Sequence, residues 1–187
     1  APMTRVSLIP TKSPPWYLKL LFYFQKKKYG LVFEPLLLWQ RTPRVFLGFL
    51  FMQKALNRKK SPLPPDLRAL ITVKVSEINQ CAFCIDFNAS LLMERGRGVE
   101  VVESLKHYRE SPLFSEREKK ALEYAEAMTL ASDKIPDTLF EALHKHYDAD
   151  AIVELTALIA LQNLSSKFNA ALDAKAFGFC KPPPKNS

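Results

Sequence analysis

The chain has 187 residues, of which 48% are apolar and 25% are charged. This composition is close to that of an ordinary globular domain and excludes a wholly disordered chain. The length predicts one domain, with a core large enough to be stable without cross-links. Five glycines exclude a collagen-like sequence, and three cysteines are too few for the disulfide framework of a secreted protein.

The net charge of +8 is unevenly distributed along the chain. Residues 1–60 contain 12 Lys and Arg and a single acid, Glu34, whereas the remainder contains 15 Lys and Arg against 18 Asp and Glu. Eleven of the 21 aromatic residues also precede residue 60. We therefore predict a basic, aromatic helical extension over 1–60, packed into the same domain or into an oligomer interface. A helical core over 61–180 and a disordered Pro/Lys-rich tail over 181–187 follow.

Apolar periodicity and turn residues predict helices along almost the whole chain. Pro14 and Pro15 precede the first helix and Gly30 ends it, while Ser115 and Glu118 form a capping box before a later one. The predicted helices cover residues 16–29, 35–40, 43–57, 67–78, 81–93, 99–108, 119–131, 137–146 and 150–172. No segment alternates apolar and polar residues for long, so the predicted fold is all-α.

The most apolar stretches, residues 16–24 and 45–52, are shorter than the roughly 18 residues that a transmembrane helix needs. We therefore expect a cytoplasmic protein. Basic and aromatic residues interleave in the first third, a pattern that also suits a helix lying on a membrane surface. The simpler interpretation is that the aromatic side chains of the first third pack in the core or in an oligomer interface. These residues are Trp16, Phe22, Phe24, Phe33, Trp39, Phe46 and Phe49.

The residues that carry chemistry are Cys81 and Cys84, spaced i, i+3 at the start of a predicted helix. This spacing puts both sulfurs on one face and within reach of an intramolecular disulfide, with Cys180 uninvolved. Unpaired amides at a helix start favour a thiolate, and either sulfur could be the activated one on position alone.

Two other interpretations of the pair remain at this point. The cysteines could be structural residues of an apolar helix, or half of a zinc site, which usually needs four ligands. The remaining candidate ligands are not spaced as a second pair; they are Cys180, His107, His144 and His146. We therefore expect no metal and no cofactor.

The sequence resembles the carboxymuconolactone decarboxylase family, in its branch of alkylhydroperoxidase D-like proteins. Residues 67–84, which end in the cysteine pair, 113–129 and 152–169 carry the resemblance. It implies an all-helical fold, a Cys-X-X-Cys motif at the start of a core helix, and a homo-oligomer. It also implies peroxide reduction, in which Cys84 becomes a sulfenic acid and Cys81 donates a proton and then condenses with it.

The sequence departs from the peroxidase members at their proton relay. These members carry a Glu twelve positions before the first cysteine and a His four positions after the second, which are Ala69 and Asn88 here. The best-known type of these members also carries a His between the two cysteines, and this sequence has Phe83 at that position. Ala69 and Phe83 cannot transfer protons and Asn88 can only form hydrogen bonds, so we expect weak peroxidase activity or disulfide exchange with another substrate.

Two carboxylates near the cysteines, Glu77 and Asp86, could replace the relay, although solvated helix carboxylates are the simpler interpretation. The predicted site is therefore Cys84 and Cys81, supported by Asn88 and Glu77.

The predicted function is that of a thiol-dependent redox enzyme in antioxidant defence, which reduces alkyl hydroperoxides or exchanges disulfides. Its partners would be a peroxide or disulfide substrate, a thiol reductant or redox protein, and further copies of the chain. The alternative is a non-catalytic binding protein with a vestigial cysteine pair, whose basic first third contacts an anionic partner or membrane. The sequence carries no nucleic-acid-binding motif, so no nucleic acid is expected.

Overall fold

A computed structural model describes residues 4–10, 12–130 and 134–179. These residues form nine α-helices and no strand, which confirms the all-α prediction. The helices are α1 (Trp16–Tyr29), α2 (Glu34–Trp39), α3 (Pro43–Leu56), α4 (Pro65–Ile78), α5 (Ala82–Glu94), α6 (Val99–Ser104), α7 (Glu116–Leu130), α8 (Asp137–His144) and α9 (Ala149–Ala171).

The helix boundaries differ from the predicted ones by a few residues. Helix α4 begins at Pro65, two residues early, because proline suits the first position of a helix. Helix α7 begins three residues early, because Ser115 and Glu118 form the predicted capping box: the Glu118 N–H donates to Ser115 Oγ at 3.3 Å. The predicted helix 99–108 instead divides into α6 and a short 3₁₀ turn. The predicted end of α7, residue 131, lies outside the described residues.

Helix α4 lies at the centre of the fold and packs against α5, α7 and α9. Leu70, Ile71, Val73 and Val75 are at most 1% exposed, so the helix is buried on several faces, as its dense apolar sequence predicts. The burial of these side chains holds the end of α4, and therefore the start of α5, in a fixed position.

The first third of the chain packs onto the last long helix. The Trp39 ring stacks on Phe168 of α9 with centroids 3.9 Å apart and planes 10° apart. Phe33, Trp39 and Phe46 are buried, so part of the aromatic set forms core within the chain. Trp16, in contrast, is 75% exposed, and for such residues an oligomer interface stays a prediction.

Residues 177–179, here called the C-terminal strap, lie against α5. Asp86 Oδ2 accepts the backbone N–H groups of Phe177, Gly178 and Phe179 at 3.0, 2.6 and 2.9 Å. The Phe179 ring lies 5.4 Å from that of Phe87. The predicted tail, 181–187, lies outside the described residues. Among the helices of the described ranges, none has both the length and the apolar character needed to cross a bilayer.

Candidate redox site

The two cysteines lie at the turn between α4 and α5. Cys81 is the N-cap of α5 rather than its first helical residue, and its Sγ accepts the N–H of Cys84 at 3.2 Å. The two Cα atoms are 5.2 Å apart and the Sγ atoms form the predicted disulfide. Cys180 lies outside the described residues. Backbone N–H groups at a helix start favour negative charge, so this geometry would stabilise negative charge on Cys81 once that cysteine has given up its proton.

A left-handed residue sets the direction of the chain before Cys81. Gln80 has a φ of 52°, a conformation uncommon for residues other than glycine. The N–H of Cys81 then donates to the carbonyl oxygen of Ser76 at 3.1 Å. This turn ends α4 and lets α5 start directly beside it, which brings Cys84 next to side chains of α4 and α9.

Cys84 lines a cavity of about 220 Å³, here called the redox cavity. Helices α1 to α3 and the loops between them provide five aromatic residues of the lining, here called the aromatic wall: Tyr29, Phe33, Trp39, Phe46 and Phe49. Phe83 and Phe87 of α5 are the other two aromatic residues of the lining. Cys84 is 3% exposed and Cys81 is 0% exposed. The first third of the chain therefore forms a wall of the cysteine site.

Neutral amides provide most of the polar lining of the redox cavity, among them Asn88, Gln162 and Asn169. The side-chain amides of Asn88 and Gln162 both donate to Ser76 Oγ, at 3.1 and 2.9 Å, and that hydroxyl donates to the carbonyl oxygen of Thr72 at 2.6 Å. The predicted site residue Asn88 thus lies at the cavity and is fixed by hydrogen bonds. An amide does not exchange protons near neutral pH, so this network can orient a substrate and does not act as a base.

Asn169 is a site residue that the sequence analysis missed. Its Nδ2 donates to Cys84 Sγ at 3.3 Å, and its Oδ1 is buried without a hydrogen-bond partner in the described part of the chain. The contact joins residues 85 positions apart in the sequence, one on α5 and one near the end of α9. The sequence offers no signal for such a pairing beyond the presence of Asn169 in the third stretch that carries the family resemblance.

Glu77 and Asp86, the two carboxylates that the sequence offers as a replacement for the proton relay, have different environments in the structure. Glu77 is half-buried, and burial raises its pKa, while Lys74 and Lys106 act in the opposite direction. Glu77 is not among the described residues that line the redox cavity. Asp86 holds the C-terminal strap through three backbone N–H groups. Neither is a freely solvated carboxylate.

The two positions of the family relay line a second cavity of about 390 Å³. Ala69 and Asn88 belong to its lining, together with Arg68 and Arg95, and we call it the arginine cavity. Among the described residues that line the redox cavity, Tyr29 and Cys84 are the only titratable ones. The relay of the peroxidase members therefore has no replacement in the lining described here.

A larger cavity of about 670 Å³ lies between α7 and α8. Its charged lining includes Arg109, Lys120, Glu123 and Glu126, and it contains no cysteine. The smaller redox cavity is the better candidate site because one sulfur of the cysteine pair belongs to its lining, beside an aromatic wall. Within the described ranges, no group of three or more His, Cys, Asp or Glu is arranged to hold a metal ion.

A helical bundle with a disulfide-bonded Cys-X-X-Cys pair at the start of a core helix defines a protein of the alkylhydroperoxidase D-like fold. The carboxymuconolactone decarboxylase family matches residues 43–127, and the chain belongs to this family. The match begins in α3, before the predicted boundary at residue 61.

Three known proteins illustrate the similarity. The uncharacterized protein YnjA of Escherichia coli (strain K12) is 38% identical over 182 residues, which are 97% of this chain and 100% of that protein. The structure of an alkylhydroperoxidase AhpD core protein from Ralstonia eutropha JMP134, described as peroxidase-related, has a TM-score of 0.82 at 22% identity. That comparison covers 95% of this chain and 94% of the other. A protein of unknown function from Agrobacterium tumefaciens, described as a candidate antioxidant-defence protein AhpD, has a TM-score of 0.69 at 25% identity, covering 74% and 94%.

Proposed function

We propose that the protein is a thiol-dependent peroxidase, which reduces organic hydroperoxides through Cys84 and Cys81 in antioxidant defence. One observation carries the proposal: a disulfide-forming pair has one sulfur on a cavity with a largely aromatic wall. The AhpD-like fold and the family membership support the same chemistry. An aromatic wall favours a substrate with an apolar body over hydrogen peroxide alone.

The roles follow from the position of each sulfur. The Cys84 thiolate attacks the terminal oxygen of the hydroperoxide; an S–O bond forms, the O–O bond breaks, and the alcohol leaves after taking up a proton, for which Cys81 is the proposed donor. Cys81, now a thiolate, attacks the sulfenic sulfur of Cys84; the S–S bond forms, the S–O bond breaks, and the departing hydroxide takes up a proton from solvent to leave as water. Two electrons and two protons from an external thiol reductant restore both thiols. Because the lining of the redox cavity contains no proton relay, we expect the attack on the hydroperoxide to be slow.

The proposal is tested with the reduced protein and one equivalent of cumene hydroperoxide. We expect loss of the hydroperoxide together with a Cys81–Cys84 disulfide in the peptide map. Cys81→Ser should stop at a sulfenic acid on Cys84 that dimedone traps, and Cys84→Ser should consume no hydroperoxide. Cys180→Ser is the matched control and should behave as the parent. Consumption by Cys84→Ser at the parent's rate would refute the assignment.

A second candidate function is binding to an anionic membrane or partner. The spacing of Trp16, Leu20, Tyr23 and Phe24 puts these exposed side chains on one face of α1, and Lys27 shares that face. The test is co-sedimentation with phosphatidylserine vesicles, comparing the parent with Tyr23→Ser/Phe24→Ser. Point variants are needed, because deletion of residues 1–60 would also remove the wall of the redox cavity.

A further inference from the structure

Two buried side-chain atoms lack a hydrogen-bond partner in the described part of the chain, Oδ1 of Asn169 and Nε of Arg68. The two residues are 3% and 5% exposed. Proteins avoid unpaired buried polar groups because each one costs free energy that a hydrogen bond would recover. Asn169 lines the redox cavity and Arg68 lines the arginine cavity, but these two atoms themselves are closed off from a water-sized molecule. A ligand in the two cavities would therefore meet an amide residue beside Cys84 at one end and positive charge at the other.

The two cavities adjoin each other. Their common lining consists of Phe49, Leu50, Gln53, Phe87, Asn88 and Gln162. Their volumes, about 220 and 390 Å³, together lie within the range of roughly 300–1,000 Å³ that small-molecule sites occupy. Half of these shared residues, Phe49, Leu50 and Phe87, are apolar and can contact the middle of an elongated organic molecule.

The helices set the length of this path. Arg68 and Ser76 are both on α4, eight residues apart, which is about 12 Å at a rise of ~1.5 Å per residue. Cys84 and Arg95 are at opposite ends of α5, eleven residues apart, or about 16 Å. The backbone positions at the two ends of these cavities are therefore about 12–16 Å apart along the helices, which is comparable to the length of a medium acyl chain.

The arginine end carries positive charge that the protein does not neutralise. Arg68 Nη1 donates to the carbonyl oxygens of Leu56 and Arg58 at 3.1 and 3.2 Å, and neither Arg68 nor Arg95 forms an ion pair within the described residues. Burial lowers the pKa of Arg68, and the nearby charge of Arg95 lowers it further. Glu154 acts in the other direction, but its carboxylate already binds Arg58 at 2.6 Å.

We propose that the site takes an organic hydroperoxide in which an apolar segment separates the hydroperoxide group from a carboxylate. The carboxylate binds Arg95, which is exposed and marks the mouth of the arginine cavity, and the positive charge of Arg68 attracts it. The apolar body lies between Phe49, Leu50 and Phe87. The hydroperoxide group enters the redox cavity, which places its terminal oxygen beside Cys84 and Asn169. This assignment of substrate class rests on the proposed function.

The binding half is tested without turnover, on the oxidised protein, whose closed disulfide cannot react with a hydroperoxide. Calorimetric titration with decanoate and with decan-1-ol compares two ligands of equal chain length that differ in charge. We expect decanoate to bind at least about tenfold more tightly, since a hydrogen bond to a charged group is worth that much or more. Arg95→Gln should abolish the difference, and Arg44→Gln, which removes an exposed arginine of α3 outside both linings, should keep it.

The reaction half uses linoleic acid hydroperoxide and its methyl ester with the reduced protein. We expect kcat/KM for the acid to exceed that for the ester by about tenfold or more, through a lower KM, and only when Arg95 is present. Equal reduction of both would overturn the inference and leave the proposed function standing. Reduction of neither, with decanoate still bound through Arg95, would overturn the proposed function and leave the carboxylate site. Equal binding of decanoate and decan-1-ol would overturn the site itself.

Discussion

The side-chain amide of Asn169 donates a hydrogen bond to Cys84 Sγ at 3.3 Å, from a position on α9 that is 3% exposed. A disulfide sulfur is a weak acceptor, whereas a thiolate is a strong one. The contact therefore strengthens when the pair is reduced, and it favours the charged form of Cys84. In a cavity without a titratable relay, this amide is the described side chain that hydrogen-bonds the proposed nucleophile.

The first prediction concerns that amide. In a Cys81→Ser background, Asn169→Leu should move the pH midpoint of Cys84 alkylation by iodoacetamide upward by about one unit or more. The reason is that a hydrogen bond to a charged group is worth about 1.5–3 kcal/mol, and one pH unit corresponds to about 1.4 kcal/mol. Stabilisation of the thiolate is present above the midpoint, so its loss slows alkylation at pH 7.

Asn163→Leu is the control for this prediction, because Asn163 is on the same helix and donates to Thr129 Oγ1 rather than to Cys84. An equal upward shift in both variants would show a general effect of altering α9, and would contradict a direct role for Asn169.

The second prediction concerns the missing relay. Ala69→Glu combined with Asn88→His should raise the turnover of cumene hydroperoxide at pH 7 by at least about tenfold, because one positioned proton-transfer group typically contributes about 10²–10⁴ in rate. Both positions line the arginine cavity, which gives the larger side chains room. A neutral hydroperoxide is used because the new Glu would compete for the arginines. Cys84→Ser should abolish turnover in either background, and a folded double variant as slow as the parent would show that the relay is not what limits the rate.

The third prediction concerns the C-terminal strap. Asp86→Ala should lower the free energy of unfolding by about 1–3 kcal/mol, since one carboxylate oxygen accepts three backbone N–H groups. Urea denaturation measures the loss. Asp137→Ala, whose partner Lys134 and own carboxylate are both well exposed, should cost much less. Equal losses in the two variants would mean that the strap contributes no more than a surface ion pair.

The fourth prediction is that the chain is an oligomer. Trp16 and Phe51 are each 75% exposed on helices that carry further exposed apolar side chains, and a monomer rarely leaves so much apolar surface uncovered. The parent should elute well above 21 kDa at micromolar concentration, and Trp16→Ser/Phe51→Ser should elute later. Strictly monomeric elution of the parent would contradict the prediction, and binding to vesicles would then become the better explanation of this surface.

The sequence was informative where the determinants are local. The spacing of Cys81 and Cys84 predicts their disulfide, and Ser115 with Glu118 predicts a helix start, because these interactions involve neighbours along the chain. Glu77 illustrates the limit of this reasoning. Glu77 directly follows Ser76, whose hydroxyl accepts hydrogen bonds from the amides of Asn88 and Gln162. Successive helical residues point about 100° apart, so Glu77 faces away from these amides. The charges that act on Glu77 are those of Lys74 and Lys106.

The contacts that complete the candidate site are distant in sequence. Asn169 reaches Cys84 across 85 positions, and the aromatic wall comes from helices that look like an extension in the sequence. In the sequence Arg68 is one of several polar residues of α4, and only the folded chain reveals that its Nε is buried without a partner among the described residues. Side-chain packing between distant segments decides these features, and no periodicity in a single sequence encodes them.

The burial of the disulfide restricts how it can be reopened. Cys81 is 0% exposed, so an incoming thiolate has to attack Cys84 from the redox cavity, with Cys81 as the leaving group. The N–H of Cys84 already faces Cys81 Sγ at 3.2 Å and would stabilise the departing negative charge. Oxidant and reductant would then share one entrance and exclude each other, so a high concentration of hydroperoxide would delay its own consumption by obstructing regeneration.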